Sequence, residues 1–221
     1  MIKKRGRNII IRRGVIKTSF SDSTLLDDKI YDETTRIIIK SDFDYADDDL
    51  GPHFAEYPNL EEFKLGRIDS CYEVHGGLLY LRLNEENFRQ KNFGYNCQYY
   101  DYRNDVHTQI KEGLLLICCP RAINKKDIVL HKDCTAIYGS AFDGCNLNSL
   151  TIPMAFRYGC PAAFTNLTVK TVYVPNKSSV VIEPSHNNVN KDVIVECIDG
   201  NNETTEYICQ WWKSGLTNIY E

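Results

Sequence analysis

Apolar and polar residues alternate over short distances at three places in the C-terminal half of the chain. The stretches DIVLH (127–131), LTIP (150–153) and TVYVP (171–175) are rich in β-branched residues and end at turn formers. That pattern predicts three strands, each with one face turned to a core. Strands this short do not stand alone, so these must lie side by side with copies of themselves. Pro153 and Pro175 fall where the strands stop, and a missing N–H there costs no ladder bond.

A repeat underlies the alternation. FAEYPNLEEFKL from Phe54, AFDGCNLNSLTIP from Ala141 and AAFTNLTVKTVYVP from Ala162 share one order of features. An aromatic residue comes first, then a small or polar bend, then a leucine, then a strand. Phe164 follows Phe142 by 22 positions, and Phe54 precedes Phe142 by 88, four times that step. A period of 22 lies in the range of leucine-rich repeats. In a coil of that length Phe142 fills the interior under the turn. Cys145 packs one step further along, against the next coil.

The stretch KDIVLHKDCTAIYGSAFDGCNLNSLTIP resembles the BspA-type leucine-rich repeat. The residues that carry the likeness are Ile137 and Gly139, Ala141 and Phe142, Gly144 and Cys145, and Ile152 and Pro153. PNLEEFKLGRIDSCYEVHGGLLY (58–80) is similar to the hairpin that often follows a repeat in that family, and GLLLICCP (113–120) to its returning strand. VYVPNKSS with CQWWKSGLTNI resembles the family's C-terminal cap. The resemblance spans residues 34 to 220 and is tight only over 127–153, which describes a short, degenerate member. MAFRYGCPAAF runs out of phase with the pattern. The expected architecture is a leucine-rich-repeat solenoid of short stacked parallel strands with irregular turns, a β-hairpin insertion and a C-terminal cap. The expected organisation is a basic arm or strand over 1–33 and a repeat domain over 34–221, with insertions at about 81–109 and 176–203.

Composition narrows the chemistry. Of 221 residues 43% are hydrophobic and 25% charged, as in an ordinary globular protein with enough length for its own core. No run of about 18 apolar residues occurs, so a membrane-spanning helix is not expected. The basic start has too short an apolar run for a secretory signal peptide, so none is expected. The net charge of −4 conceals a polar layout. Residues 1–17 hold Lys3, Lys4, Arg5, Arg7, Arg12, Arg13 and Lys17 without an acid, while 22–62 hold thirteen acids against three bases. The basic arm suits an acidic surface, in this chain or another. No nucleic-acid motif accompanies it, so nucleic acid is not the expected partner.

Nine cysteines include the adjacent Cys118 and Cys119 but no C-x-x-C, and the five histidines form no metal-binding spacing. No metal and no cofactor is expected, and buried thiols that serve as small hydrophobes are the default. The acidic run SDFDYADDD (41–49) fails the calcium-loop pattern, with Ala46 at the fifth position and Asp47 at the sixth. Cys119 with His131, or Cys145 with His107, are the thiol–base pairs an enzyme would use. Neither has a local signature, so no catalytic residue is assigned and the chain is not expected to be an enzyme. NLT at 166 and NET at 202 match the glycosylation acceptor pattern, which chance supplies readily in an Asn-rich stretch.

What the BspA-type resemblance implies is recognition without catalysis, on the surface of a cell. The candidate binding segment is NFGYNCQYYDYRND, within the insertion at 81–109. Its residues Tyr95, Tyr99, Tyr100, Tyr102 and Arg103 give large amphipathic contact area at low entropic cost. The same tyrosines also suit packing on the solenoid flank. The expected partner is a protein or a cell-surface glycan. The alternative role is a structural component of a larger assembly such as a phage particle.

Overall fold

The computed structural model describes residues 32–39, 54, 57–66, 71–84, 111–156, 163 and 166–174 in full, and the backbone alone of strands at 2–5, 8–11, 98–101, 106–109, 158–159, 181–182 and 194–197. Sixteen strands are seen among them. In chain order they are β1 Ile2–Arg5, β2 Asn8–Ile11, β3 Arg36–Ile39, β4 Glu62–Leu65, β5 Tyr72–His75, β6 Leu78–Leu83, β7 Gln98–Asp101 and β8 Val106–Gln109. They continue as β9 Gly113–Cys118, β10 Asp127–Val129, β11 Cys134–Ile137, β12 Asn146–Thr151, β13 Tyr158–Gly159, β14 Thr168–Val174, β15 Val181–Ile182 and β16 Ile194–Cys197.

From β9 onward the chain is a parallel-strand solenoid. Each of four coils gives one strand to each of two sheets, as the pairs β9/β10, β11/β12, β13/β14 and β15/β16. The sheet β10-β12-β14-β16 is parallel throughout. Asp127 faces Ser149 and Ser149 faces Thr171, a step of 22 positions both times. Tyr158 faces Val181, and Thr171 faces Ile194, each one position further along than that step. The stacked parallel architecture expected from the alternating stretches is the one observed. The Asn-rich segment 176–203, expected as an insertion, holds the two strands of the fourth coil.

The shared step of β10, β12 and β14 puts like residues in columns. Ile128, Leu150 and Val172 are one buried column; Leu130, Ile152 and Val174 are a second; Ile123, Cys145 and Leu167 are a third. Backbone bonds also join successive turns, from Cys119 N to Ala141 O (2.8 Å) and from Phe142 N to Ala163 O (3.0 Å). Each column buries apolar area that no single coil can bury, so neighbouring coils stabilise each other.

The second sheet has the order β15-β13-β11-β9-β6-β5, and its β6 and β5 run antiparallel. Alternate residues of a strand point to opposite faces. Here both faces are covered. Leu78, Tyr80, Leu114 and Leu116 join the solenoid core, whereas Leu79, Leu81, Leu115 and Ile117 join a second core with Ile37, Ile39, Phe54, Tyr57 and Phe63. That arrangement accounts for the unbroken apolar runs LLYL and LLLICC, since a strand buried on both sides has no polar face to offer.

The second core is closed by the sheet β1-β2-β3-β4, in which β2, β3 and β4 are parallel and β1 is antiparallel to β2. Asn8 faces Arg36 and Arg36 faces Glu62, steps that are longer than the solenoid's and unequal to each other. The basic segment around Asn8–Ile11 thus pairs along the acidic-flanked strand Arg36–Ile39. Two bonds tie this region to its neighbours, Phe63 N to Gly77 O (3.2 Å) and Ala122 N to Leu60 O (2.8 Å).

The β5–β6 hairpin closes at His75 opposite Leu78, through Gly76 at φ 60° and Gly77 at φ 86°. Two successive positive φ values define the tight hairpin turn whose twist matches the strands, and glycine adopts them without a Cβ penalty. β7 and β8 form a separate antiparallel hairpin inside the 81–109 segment. No helix among the described residues is long and apolar enough to cross a membrane.

Candidate functional site

The outward face of the sheet β10-β12-β14 is a regular surface across three coils. Its rows follow from the register. Val129 is opposite Thr151, which is opposite Tyr173; beside it, Asp127 is opposite Ser149, which is opposite Thr171. Val129 is 63% exposed although its neighbours Ile128 and Leu130 are buried. Ser149 Oγ donates to Asp127 Oδ1 at 2.8 Å, which fixes one rung of the polar row. Asn148 and Ser149 both turn outward because their amides share the carbonyl of Lys126, at 2.8 and 3.2 Å. The result is a Val–Thr–Tyr row beside an Asp–Ser–Thr row, across three coils.

The turns between coils carry a second polar column. Arg121 Nη2 donates to Asp143 Oδ2 at 2.9 Å, and Asn166 Nδ2 donates to Asp143 Oδ1 at 2.7 Å. Arg121 Nε also reaches Asp143 O at 3.3 Å. These three residues hold successive turns in register. Asn166, the residue of the NLT triplet, therefore already commits its amide nitrogen to Asp143 and sits at φ 55°.

Four of the five described thiols are interior. Cys118, Cys119, Cys134 and Cys145 are buried, and all are free. Cys145 Sγ lies 3.4 Å from Cys119 O and 3.9 Å from Pro120 O, and Cys119 Sγ approaches the same Pro120 O at 3.9 Å. The Cys119 thiol is pushed well up, first by its hydrogen bond with Cys145 and then by burial. Burial raises Cys118, with Cys145 adding to it, and pushes Cys134 up to about 12. Such thiols stay protonated at neutral pH and are poor nucleophiles. Of the two thiol–base pairs considered from sequence, Cys119–His131 places a protonated interior thiol against an imidazole engaged elsewhere. His131 Nδ1 accepts from Asp133 N at 3.2 Å and its ring stacks on His75. The side chain of His107 lies outside the described residues.

Phe142 and Cys145, expected in the interior, are 0% and 1% exposed. Of the candidate binding residues, Tyr99 and Tyr100 lie on β7, described by its backbone alone, where they face Thr108 and His107. Tyr95, Tyr102 and Arg103 lie outside the described residues, as do the acidic run 41–49 and the cap segment CQWWKSGLTNI. No group of three or more potential metal ligands occurs among the described residues. The outward rows escape a reading of single strands, because the register between coils is what sets Val129 beside Thr151 and Tyr173. The constant interval separating those three residues was the available signal.

A comparison with protein families gives no match, and neither does a comparison with curated proteins. Among solved structures, the chain is similar to a leucine-rich repeat protein from Eubacterium ventriosum ATCC 27560, at 14% identity and a TM-score of 0.31. The likeness covers 68% of this chain and 45% of that one, so the chain spans less than half of that protein's length. The fold class defined here, a parallel-strand solenoid, rests on the strand register alone.

Proposed function

We propose that the chain is a non-enzymatic recognition module of the BspA-like leucine-rich-repeat kind, which binds a protein or a cell-surface glycan. The observation that carries this reading is the outward row Val129–Thr151–Tyr173, a β-branched and aromatic stripe that three coils hold in register beside Asp127, Ser149 and Thr171. Extended sheet faces of solenoids suit large, shallow partners better than small molecules. The Tyr- and Arg-rich segment 93–103 adds adaptable contact area of the type that recognition surfaces favour. The interior position of the four described buried thiols fits a scaffold rather than a nucleophile.

The test is a panel of immobilised glycans and extracellular proteins probed with the chain and with Thr151→Arg. Thr151 is half-buried on the outward face, and an outward strand position tolerates arginine, so folding is retained while the stripe is interrupted. Binding that falls at least about tenfold on this substitution supports the sheet face. Binding that survives it unchanged removes the sheet face from the proposal, and turnover of any panel component overturns the non-enzymatic reading.

A further inference from the structure

Two histidines far apart in the chain meet at the tip of the β5–β6 hairpin. The rings of His75 and His131 stack with centroids 4.2 Å apart and an interplanar angle of 30°. His75 is the last residue of β5, directly before the Gly76–Gly77 turn. His131 begins the connection from the first coil's β10 to β11, next to Leu130 in the solenoid core. The contact therefore joins the hairpin tip to the first coil.

The hydrogen bonds fix what each ring must be. Asp133 N donates to His131 Nδ1 at 3.2 Å, so Nδ1 carries a lone pair and the proton of the neutral ring is on Nε2. The backbone N of His131 donates to Tyr80 Oη at 3.2 Å, which pins the same residue to β6. His75 Nε2 pairs with Glu73 Oε2 at 2.8 Å, and Arg82 pairs with Glu73 through its other oxygen. Glu73 is thus divided between Arg82 and His75.

Among the described residues, the charged and titratable groups around the stack are Glu73 and His75 from β5, Tyr80 and Arg82 from β6, and Lys132 and Asp133 from the turn after β10. Only Asp133, 3.8 Å from Nδ1 and well exposed, favours a charge on His131. His75, Lys132 and Arg82 oppose it, and a proton on Nδ1 would also face the Asp133 N–H with a second donor. Two imidazolium rings at van der Waals contact repel each other.

We infer that the His75–His131 stack is an acid-sensitive clasp, closed while His131 is neutral and opened when His131 takes up a proton, so that acidification frees the hairpin tip from the first coil. Burial and then His75 hold the His131 imidazole below its usual value of 6.5, in the same direction. An unfolded or unclasped His131 takes up its proton at higher pH than the clasped one. The stability that the clasp supplies is therefore present above about pH 6.5 and is lost as pH falls through the clasped value.

Amide hydrogen exchange on the full chain, corrected for intrinsic chemistry, reads this out at Asp133 and at the 75–80 hairpin tip. Exchange there is expected to speed up about threefold to tenfold between about pH 7.5 and pH 5.5, while exchange at Leu147–Ile152 stays unchanged. His131→Gln keeps a carbonyl oxygen for the Asp133 N–H without a titrating group, and its exchange should lose the acid dependence. Equal acid acceleration in His131→Gln, or none in the unaltered chain, overturns the clasp. A proton-NMR titration of His131 in the unaltered chain and in His75→Gln decides the matter independently of the first variant. The clasp requires a midpoint below that of a free histidine that moves up when His75 is replaced. A normal midpoint unmoved by that change overturns it.

Discussion

Arg121 and Asp143 sit one coil apart and close a 2.9 Å ion pair over the backbone of Gly144. Gly144 adopts φ 67°, and a Cβ placed there would run into the Arg121 guanidinium. The glycine is thus required twice, by its backbone and by the arginine that crosses it. Gly144→Ala is expected to cost about 1–3 kcal/mol in urea unfolding. Adding Arg121→Ala should recover the part due to collision and leave the part due to φ. A neutral Gly144→Ala would contradict the close approach.

Cys145 stands between Ile123 and Leu167 in a buried column. Cys145→Ser places a hydroxyl there and is expected to destabilise the chain by about 1–3 kcal/mol, whereas Cys145→Ala should cost only its lost volume. Chemical denaturation of the two variants separates them. Loss of binding with unchanged stability in the serine variant would instead point to a direct role for the thiol.

Leu150, fully buried between Ile128 and Val172, tests the column itself. Leu150→Ala removes contacts on both neighbouring coils and is expected to cost about 2–5 kcal/mol. Thr151→Ala, one residue on and facing outward, should stay within about 0.5 kcal/mol. Comparable losses at both positions would refute the inward–outward assignment of β12.

The interior thiols make an alkaline prediction. Cys134 ionises at about 12 in the folded chain against an ordinary value of 9.0, and Cys118 and Cys119 are raised as well. Below pH 9 both folded and unfolded thiols are protonated and the full stability is present. As pH rises from 9 towards 12 the unfolded chain releases protons that the folded one keeps, so stability falls. Melting temperature should decline over that window, and less steeply in Cys134→Ala. Native thiol labelling at pH 8 should reach Cys71, which is partly exposed, well before these three.

Tyr99→Ala with Tyr100→Ala separates recognition from packing in the Tyr-rich segment. A binding role predicts weaker capture on the glycan and protein panel with the melting temperature within a few degrees of the parent, since exposed substitutions cost little. A melting temperature lowered by about 5 °C or more would assign the pair to packing instead.

Sequence periodicity revealed the solenoid where one face of a strand meets water. Ile128, Leu150 and Val172 recur at a constant step among polar neighbours, and the interior positions of Phe142 and Cys145 follow from that step. The expected strands at 150–153 and 171–175 start too late, however. Asn146–Thr151 and Thr168–Val174 are the observed bounds, because Asn148 with Ser149, and Lys170 with Thr171, both turn away from the core and interrupt the alternation. β6 and β9 carry no alternation at all, since each side of them is covered. The longer and unequal steps around β3 hide that sheet from any search for one period. His75 and His131 belong to no pattern, and only the hairpin's return brings them together.

The pairing register between coils also sets the terms on which this chain can change its length. Material added as whole coils leaves every inward column facing its like, while a slip of one residue in a strand's pairing register turns that strand inside out. Connections can therefore swell, as the one between β6 and β9 does, without disturbing the stack, whereas the strands are locked to an arithmetic. Lengthening by duplication is the path of least resistance for such a molecule, and the reach of its sheet face can be extended coil by coil without redesigning its interior.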